Sequence, residues 1–412
     1  MPGSPLPLME EGMARWPFGP PNAGVALDFT GTPPTPAELR ALVDARWGAL
    51  PRLAQRLVRG ARRHGWETVE DGGSPALRVR CEEVTLREAV RRWFHTPFPE
   101  GLPPWNLHLL RGSAEGEFSL LFRMHHSLLD GRSLTTLLRS LLDGVPPVDV
   151  AASLAEPRAL RRAVVGGPGL LTAGLAVPLP GKGERAPAYT LLRLPSERMR
   201  AAREAAPGRA TTTNEVFLAA VSGVLRSCLL GGGMTGEDGR RRVWLSVPVD
   251  QRPSSHGNFL GNAFTNVRVA APVALPDPAA RLAACTGLLT VETRARRTAE
   301  RLVEGVFGAF PGVTQSLARG RLFAPAYAPA ACSYVHLRET GRTLAGRPLR
   351  RVGVVPMVPP EDTVTFGLGG CARGHTLSVT TNSGAEDAEL LAEAFLHELG
   401  LLAGLSAASG GS

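Results

Sequence analysis

Apolar and polar residues follow one another along the first part of the chain with the two periods that distinguish strands from helices. Val25 to Phe29 is a short apolar run that predicts a strand, and Gly31 to Pro34 predicts the turn that ends it. Thr35 to Glu38 predicts a helix start, because it offers an N-cap, a proline at the first helical position and a nearby acid. Apolar residues then continue at helical spacing, at Leu39, Leu42, Val43 and Trp47.

Two neighbouring strands are predicted at Trp105 to Leu110 and at Phe118 to Met124, with a turn between them. The second strand leads directly into His125 and His126. After Asp130-Gly131, leucines return at helical spacing. A pair of histidines therefore stands where a predicted strand gives way to a loop and a helix.

The same periods predict further elements along the chain. The helices are Leu86 to Phe94, Asn214 to Leu229 and Ala388 to Leu402, and the strands are Tyr189 to Leu194, Val243 to Val249, Ala263 to Val269, Leu349 to Val355, Thr363 to Leu368 and Thr376 to Thr381. Strands and helices mix without a regular βαβ alternation. This order predicts an α/β protein with mixed sheets rather than a doubly wound or barrel fold.

The length of 412 residues exceeds the usual size of one domain, so the chain is expected to form two lobes. We predict an N-terminal lobe over residues 1–150, a crossover linker over 151–188 and a C-terminal lobe over 189–405. The linker is rich in proline and glycine and contains one candidate short helix, Ala159 to Val165. The small polar residues 406–412 predict a disordered tail.

The charge of the chain excludes one class of partner. The formal net charge is +9, from 46 basic and 37 acidic residues, and Lys182 is the single lysine among scattered arginines. No basic run carries interleaved aromatic residues, so no nucleic-acid partner is expected. A basic surface would still attract a phosphorylated carrier such as coenzyme A.

Cysteine usage and the N-terminal sequence predict a cytoplasmic location. The five cysteines are widely spaced and odd in number, which is typical of free thiols in a reducing compartment. The N-terminus lacks the pattern of a signal peptide. Ala163 to Pro180 carries no charge, but its glycines and prolines would interrupt a spanning helix, so membrane contact is expected to be peripheral at most.

The histidine pair carries the candidate chemistry. A histidine at a strand end can act as a general base, because its pKa lies near neutrality and one ring nitrogen can accept a proton. In the spacing His-x-x-x-Asp-Gly, His126 would be that base, Asp130 would help to set the loop, and Gly131 would allow a sharp entry into the helix. A structural role or a metal site also fits two adjacent histidines. We find no third ligand at a recognisable spacing, so no metal is expected.

At these residues the sequence resembles the wax ester synthase/diacylglycerol acyltransferase family, part of the larger group that includes chloramphenicol acetyltransferase and peptide synthetase condensation domains. Five segments carry the resemblance in the family's order: Leu39 to Val58, ending in the Pro-Arg-x-x-Gln-Arg-Leu pattern; Pro104 to Leu109; the His-His-x-x-x-Asp-Gly motif at His125 to Gly131; Thr213 to Val216; and Val247 to Val249 with Arg252 and Leu260 to Asn262.

The resemblance implies two chloramphenicol acetyltransferase-like lobes with a tunnel between them. Acyl-CoA would enter from one face and the acceptor from the other, meeting at His126. His125 would pack behind the site, and Asp130 would be mainly structural, with Arg252 as its salt-bridge partner. No covalent acyl-enzyme and no bound cofactor are expected, and the oligomeric state is left open.

Four residues are candidates for substrate binding: Gly131, Asn214, Asn262 and Ser333. Three of them have a structural interpretation that is at least as good, because Asn214 could cap its helix, Asn262 could brace a turn and Ser333 could be a structural hydroxyl. The chain also departs from the family pattern in its second half. Glu215 replaces the usual aspartate, and Ser333 to Leu337 replaces the usual Ser-Asn-Val-Pro-Gly. These departures suggest a specialised metabolite rather than a long-chain alcohol or diacylglycerol as acceptor.

Three functions remain open from the sequence. The first is an acyl-CoA-dependent O-acyltransferase acting on a hydrophobic alcohol. The second is a condensation-type N-acyltransferase that forms an amide from an amine, with an acyl carrier protein as a possible donor. The third is a non-catalytic binding protein that retains the fold, which the intact His126, Asp130 and Gly131 argue against.

Overall fold

The computed structural model describes residues 4–60, 63–69, 74–93, 95–112, 116–156, 173–181, 185–205, 211–233, 242–289, 323–337 and 341–409. The elements and contacts of the protein are those of these residues. The short helix predicted at Ala159 to Val165 lies outside them. The first part of the uncharged segment Ala163 to Pro180 does so too, and its last eight residues have no regular structure.

The described ranges contain mixed strands and helices. The strands are β1 (Ser4–Pro5), β2 (Asn22–Thr30), β3 (Gln55–Val58), β4 (Gly65–Thr68), β5 (Val79–Glu82), β6 (Trp105–Leu110), β7 (Glu117–His125), β8 (Ala188–Leu194), β9 (Val243–Asp250), β10 (Phe264–Ala271), β11 (Ala330–His336), β12 (Thr343–Leu344), β13 (Arg347–Val355), β14 (Val364–Cys371) and β15 (Gly374–Thr381). The helices are α1 (Leu8–Ala14), α2 (Pro36–Trp47), α3 (Leu86–Trp93), α4 (Gly131–Arg139), α5 (Val150–Leu154), α6 (Ser196–Glu204), α7 (Thr213–Gly231), α8 (Pro278–Cys285) and α9 (Ala385–Ser409). The elements predicted from periodicity are confirmed, with their ends shifted by a few residues.

Two six-stranded sheets organise the molecule. The first has the order β12-β13-β2-β7-β6-β5, the second has the order β10-β9-β11-β14-β15-β8, and a small sheet has the order β1-β4-β3. Helices α2 and α4 bury their apolar residues against the first sheet, and α6 to α9 bury theirs against the second. Each large sheet combines parallel and antiparallel pairs. The predicted mixed α/β fold with two lobes is confirmed.

Helix α2 shows how local sequence fixes an element. The Thr35 hydroxyl accepts a hydrogen bond from the Glu38 amide at 3.2 Å, and the Glu38 carboxylate accepts one from the Thr35 amide at 2.7 Å. This capping box and Pro36 start the helix where the sequence predicted. The segment Leu39 to Val58, which carries part of the resemblance, resembles the family's first helix, but α2 ends at Trp47. Pro51–Ala54 is a 3₁₀ turn that leads into β3, because a proline cannot continue an α-helix.

Strand β13 crosses from one half of the chain into the other lobe. It lies within residues 189–405, which we assigned to the C-terminal lobe, yet it pairs antiparallel with β2, with Val352 opposite Leu27. It also packs on β14, where glycines make room for it. A Cβ at Gly369 would collide with the Val352 carbonyl of β13, and one at Gly367 would lie only 3.1 Å from the Val354 side chain of β13. The predicted lobe boundaries are therefore crossed by β12 and β13.

The C-terminal end of the second lobe differs from the prediction. Helix α9 continues to Ser409, so residues 406–409 are helical where a disordered tail was predicted.

Helix α7 is long and apolar enough to cross a membrane by length and composition. However, 67% of its most apolar window is buried inside the molecule, as in the core helix of a globular lobe.

Gly223 of α7 provides a test of packing in the second lobe. A Cβ at this position would collide with the carboxylate of Glu398, which is buried and paired with Arg281 of α8. We therefore expect Gly223→Ala to lower the free energy of unfolding by about 2–4 kcal/mol in urea denaturation, because it displaces a buried ion pair.

Gly231→Ala is the matched control in the same helix, since outside the backbone of that helix no described atom lies within 4 Å of the position that the added methyl group would take. Its stability should be unchanged or higher by up to about 1 kcal/mol, because alanine favours the helix. Equal stabilities for the two variants would show that Glu398 moves aside at no cost.

Candidate active site

The two histidines occupy the end of β7 and the loop that follows it. His125 is the last residue of β7, residues 126–130 form the loop, and Gly131 begins α4. Two backbone hydrogen bonds fix the start of this loop: the His125 amide donates to the Pro104 carbonyl at 2.9 Å, and the His126 amide donates to the Pro21 carbonyl at 2.8 Å. The predicted sequence of strand, loop and helix is thus confirmed.

The His126 ring is largely enclosed but not sealed. Its Nδ1 atom is shielded from solvent and has no hydrogen-bond partner with good geometry in the described part of the chain, whereas the residue as a whole keeps partial exposure. Its ring centroid lies 6.0 Å from that of Phe264. Burial lowers the pKa of His126, and its own backbone carbonyl and the charge of Asp130 oppose this shift. His126 is therefore neutral near pH 7.

The neighbouring His125 is held in a different way. Its Nδ1 accepts hydrogen bonds from the Ser127 amide at 3.3 Å and from the Ser127 hydroxyl at 2.7 Å. Burial, followed by the proximity of His126, lowers the pKa of His125 to about 3. With Nδ1 engaged as an acceptor, His125 is a neutral residue that braces the loop.

Asp130 joins the loop to the second half of the chain. Its carboxylate accepts two hydrogen bonds from Arg252, at 2.8 and 2.9 Å, and also caps α4 by accepting from the Ser133 amide at 2.8 Å. A fourth hydrogen bond comes from the Ala263 amide at 2.7 Å. The side chain of Asp130 is 4% exposed and that of Arg252 is 1% exposed. All these contacts are internal, so Asp130 serves to hold the loop.

Arg252 connects the start of α4 to the segment between β9 and β10. It donates to the Ser133 hydroxyl at 2.7 Å, to the Gly261 carbonyl at 3.0 Å and to the exposed carboxylate of Asp250 at 2.9 Å. One arginine thus ties the start of α4 to residues 250–263 of the second sheet. The relative position of the two sheets at this point depends on the Asp130–Arg252 pair.

Of the four residues predicted to bind substrate, two lie at the loop. A Cβ at Gly131 would reach the Val335 side chain at 3.4 Å, an ordinary contact, and its backbone is not left-handed. The expected sharp turn at the start of α4 therefore does not explain why residue 131 is a glycine. The side-chain amide nitrogen of Asn262 donates to the Ser127 carbonyl at 2.8 Å, so Asn262 contacts the backbone of the loop.

The other two candidates lie elsewhere in the second lobe. Ser333 lies on β11 opposite Gly367, two residues before Val335, which faces Gly131. Asn214 is the second residue of α7, and no hydrogen bond among the described residues joins it to the loop. It does not cap the helix either.

Thr212 is the cap of α7, in a capping box with Glu215. The second Glu215 oxygen accepts a hydrogen bond from the Gly287 amide at 2.8 Å. The glutamate that replaces the family's usual aspartate thus has a structural task at the start of this helix.

Sequence reasoning missed a second set of contacts, on the other side of the loop. Arg52 donates to the Leu128 carbonyl at 2.9 Å and to the Ser127 carbonyl at 3.2 Å, and it pairs with the buried carboxylate of Glu10 at 2.7 Å. Arg52 was noticed only as part of a motif. Glu10 was not singled out, although two adjacent acids, Glu10 and Glu11, within the otherwise apolar Leu6 to Met13 are a signal that could have drawn attention to it.

The cysteines offer no second reactive group. Burial raises the pKa of all five thiols, to about 11 for Cys228 and about 12 for Cys285. A thiol is nucleophilic as the thiolate, so these side chains are mostly protonated and weak nucleophiles near pH 7. Within the described ranges, no three histidine, cysteine or carboxylate side chains are grouped as metal ligands.

A cleft of about 220 Å³ lies between the two large sheets, but at the far end of the strands from His126. Asp28 and Ser119 line it from the first sheet, and Tyr189 and Thr376 line it from the second. Ser119 precedes His125 by six residues on β7, which corresponds to roughly 20 Å along a strand. The cleft is therefore separate from the histidines, and a tunnel through His126 stays a prediction.

Comparison with known proteins gives the site a context. Residues 74–221 match the sequence model of the wax ester synthase/diacylglycerol acyltransferase catalytic domain. The "Putative diacyglycerol O-acyltransferase Rv0221" of Mycobacterium tuberculosis is 26% identical over 243 residues, which cover 51% of this chain and 50% of that protein. A second protein of that description and organism, Rv0895, is 26% identical over 374 residues, covering 75% and 70%. The chain thus spans about half the length of the first of these relatives.

Solved structures match over nearly the whole chain. The wax ester synthase/diacylglycerol acyltransferase from Marinobacter aquaeolei VT8 superposes with a TM-score of 0.67 at 17% identity, covering 97% of this chain and 100% of that one. The first condensation domain of the CDA synthetase gives a TM-score of 0.65 at 18% identity, covering 97% and 95%. At these identities the likeness concerns the fold. Together with the catalytic-domain match, it confirms the resemblance predicted from the motifs: the chain is similar to the wax ester synthase/diacylglycerol acyltransferase family and has a two-lobed, chloramphenicol acetyltransferase-like fold.

Proposed function

We propose that this protein transfers an acyl group from a coenzyme A thioester to the hydroxyl group of an acceptor, with His126 as the general base. The observation that carries the proposal is the state of His126. It is neutral near pH 7, it keeps partial exposure, and it stands on a loop that is held from both sides. The catalytic-domain match over residues 74–221 supports the same reaction class.

The reaction can proceed in one direct attack. We assign the ring proton to Nδ1 and the basic lone pair to Nε2, because Nδ1 is shielded from solvent and so from a substrate hydroxyl group. Nε2 removes the hydroxyl proton as the acceptor oxygen attacks the thioester carbonyl carbon. The tetrahedral intermediate then collapses, the carbon–sulfur bond breaks, and the coenzyme A thiolate leaves with the proton from the imidazolium. The raised pKa values of the five thiols support a route without an acyl-cysteine.

Amide formation is the second candidate. An amine can attack a thioester through the same proton transfer to His126. The fold that the chain shares with the first condensation domain of the CDA synthetase supports amide formation as the alternative. The donor would then be carried by coenzyme A or by an acyl carrier protein. Glu215 and the sequence Ser333 to Leu337 are the departures that support a specialised acceptor. We place the reaction in the cytoplasm, which the five free thiols support.

Incubation of the purified protein with short-, medium- and long-chain acyl-CoAs tests the function. Each donor is offered alone, with alcohols, with diacylglycerol and with primary amines. Free coenzyme A is measured by chromatography, because the partly exposed Cys81 and Cys228 could react with a thiol reagent. We expect one coenzyme A released per ester formed, only when an alcohol is present. Release with amines alone would favour the second candidate, and no acceptor-dependent release with any pair would contradict both.

The pH dependence of this reaction follows from the lowered pKa of His126. A general base works only when it is neutral, and burial keeps His126 neutral below the ordinary histidine value of 6.5. The value of kcat/KM should therefore stay level from pH 7 down to about 6.5 and fall at lower pH. The pKa of His125, about 3, is too low to produce this fall. An acidic limb with its midpoint above pH 7 would contradict the assignment of His126 as the base.

A further inference from the structure

The loop of residues 126–130 is fixed by two separate groups of side chains. On one side, Asp130 and Arg252 connect it to the second sheet. On the other side, the carbonyl oxygens of Ser127 and Leu128 accept hydrogen bonds from Arg52 and Asn262. The first group follows from the sequence motif, whereas the second depends on a residue that no motif contains.

That residue is Glu10 of α1, which is 3% exposed. One carboxylate oxygen accepts hydrogen bonds from Arg52 at 2.7 Å and from the Asn262 side chain at 3.3 Å. The other accepts from the indole nitrogen of Trp66 at 2.5 Å. The two side chains that hold the loop carbonyls therefore share one anion, which orients both of them.

The charge of Glu10 matters for this arrangement. Burial raises the pKa of its carboxyl, and the Arg52 guanidinium opposes that shift. The Arg52 guanidinium also lies 4.5 Å from the centre of the Trp66 ring, so its position is set from two sides. A buried arginine without its anion would turn to other acceptors and release the Ser127 and Leu128 carbonyls.

We infer that Glu10 is a positioning residue for the proposed reaction: through Arg52 and Asn262 it fixes the backbone that carries His126. The expected effect of Glu10 on the reaction rate rests on the proposed function. The expected effect of Glu10 on the position of the loop does not. Asn262 precedes β10 of the second sheet, so Glu10 also links α1 to the lobe that supplies the other wall of the site.

The neighbouring Glu11 provides a matched control. It is 7% exposed and pairs with Arg15 and His64, but none of its contacts reaches the loop. Glu10→Gln and Glu11→Gln each remove one buried charge from the same helix. Each also places an amide donor against existing donors, which are Arg52 or Trp66 for Glu10→Gln and Arg15 or the His64 backbone amide for Glu11→Gln, but only the group around Glu10 includes a donor that contacts the loop. A structural role alone would affect the two variants alike.

The first measurement is steady-state kinetics at equal folded fractions. We expect Glu10→Gln to lower kcat by about 10- to 100-fold with KM changed less than about threefold, because a displaced base impairs the chemical step rather than binding. Glu11→Gln should keep kcat within about twofold of the wild type. Glu10→Asp, which keeps the charge on a shorter side chain, should give an intermediate kcat and serves in place of Glu10→Gln if the latter does not fold.

The second measurement is hydrogen–deuterium exchange of the peptide covering residues 124–131, which needs no activity. Exchange should be faster in Glu10→Gln than in the wild type and unchanged in Glu11→Gln. If the wild-type protein transfers no acyl group, the proposed function fails, and this exchange still decides whether Glu10 fixes the loop. Equal loop exchange and equal kcat in the two glutamine variants would overturn the inference.

Discussion

Replacing His126 with alanine should lower kcat by roughly two to four orders of magnitude, which is the usual contribution of a positioned general base. Of the two imidazoles at the loop, the substitution removes the one that is not hydrogen-bonded to Ser127. Turnover should be measured with whichever acyl-CoA and acceptor pair is active in the wild type. The residual rate reports what binding and orientation achieve without the base.

The same substitution should leave the fold intact. The Nδ1 atom of His126 is a buried polar atom without a well-placed partner, and such atoms do not stabilise a folded state. We expect the free energy of unfolding of His126→Ala to lie within about 1 kcal/mol of the wild type, or above it. A functional residue that contributes little to stability is a common feature of active sites.

His95→Ala is the control for this prediction, because His95 is an exposed histidine outside the loop. Its rate and stability should match those of the wild type. A His126→Ala variant with a near-normal rate would remove the proposed mechanism. A variant that has lost its structure as well would show instead that His126 is a packing residue.

Much of the fold could be predicted because it depends on local patterns. The capping residues of α2 and the apolar periods of β2, β7 and α7 lie within short stretches of sequence. The pairing of β13 with β2 joins residues more than three hundred positions apart. No local period contains that information, so the passage of β13 into the first lobe could not be predicted.

The candidate site divides in the same way. The motif from His125 to Gly131 identified the loop, and the resemblance implied that Arg252 pairs with Asp130, which lies 122 positions away. Residue type alone could not reveal Glu10, because its three partners come from three different parts of the chain. A glutamate in a short segment is typical of a surface position until its neighbours in space are known.

The second large effect is expected at Asp130. Asp130→Ala should lower the free energy of unfolding by about 3–5 kcal/mol and also reduce the rate, because it leaves the Arg252 guanidinium buried without its main anion. It also removes the cap of α4 and the partner of the Ala263 amide. Urea denaturation gives the stability, and the rate is measured under conditions where the variant is folded.

Asp250→Ala is the matched control, since Asp250 contacts the same nitrogen of Arg252 but its side chain is 41% exposed. An exposed ion pair contributes at most about 1 kcal/mol, so this variant should be close to the wild type in stability. The comparison separates the effect of burial from the effect of losing one partner of Arg252.

The double variant Asp130→Ala/Arg252→Ala completes the cycle. It should be more stable than the sum of the single effects predicts, by at least about 1 kcal/mol, because the unpaired buried charge is removed together with its partner. If Asp130→Ala melts like the wild type and is merely slow, the carboxylate acts on the reaction itself, and its four internal hydrogen bonds do not hold the loop. If it is unstable but has a normal rate when folded, the position of His126 does not depend on Asp130, and the Glu10 side of the loop alone would have to fix the base.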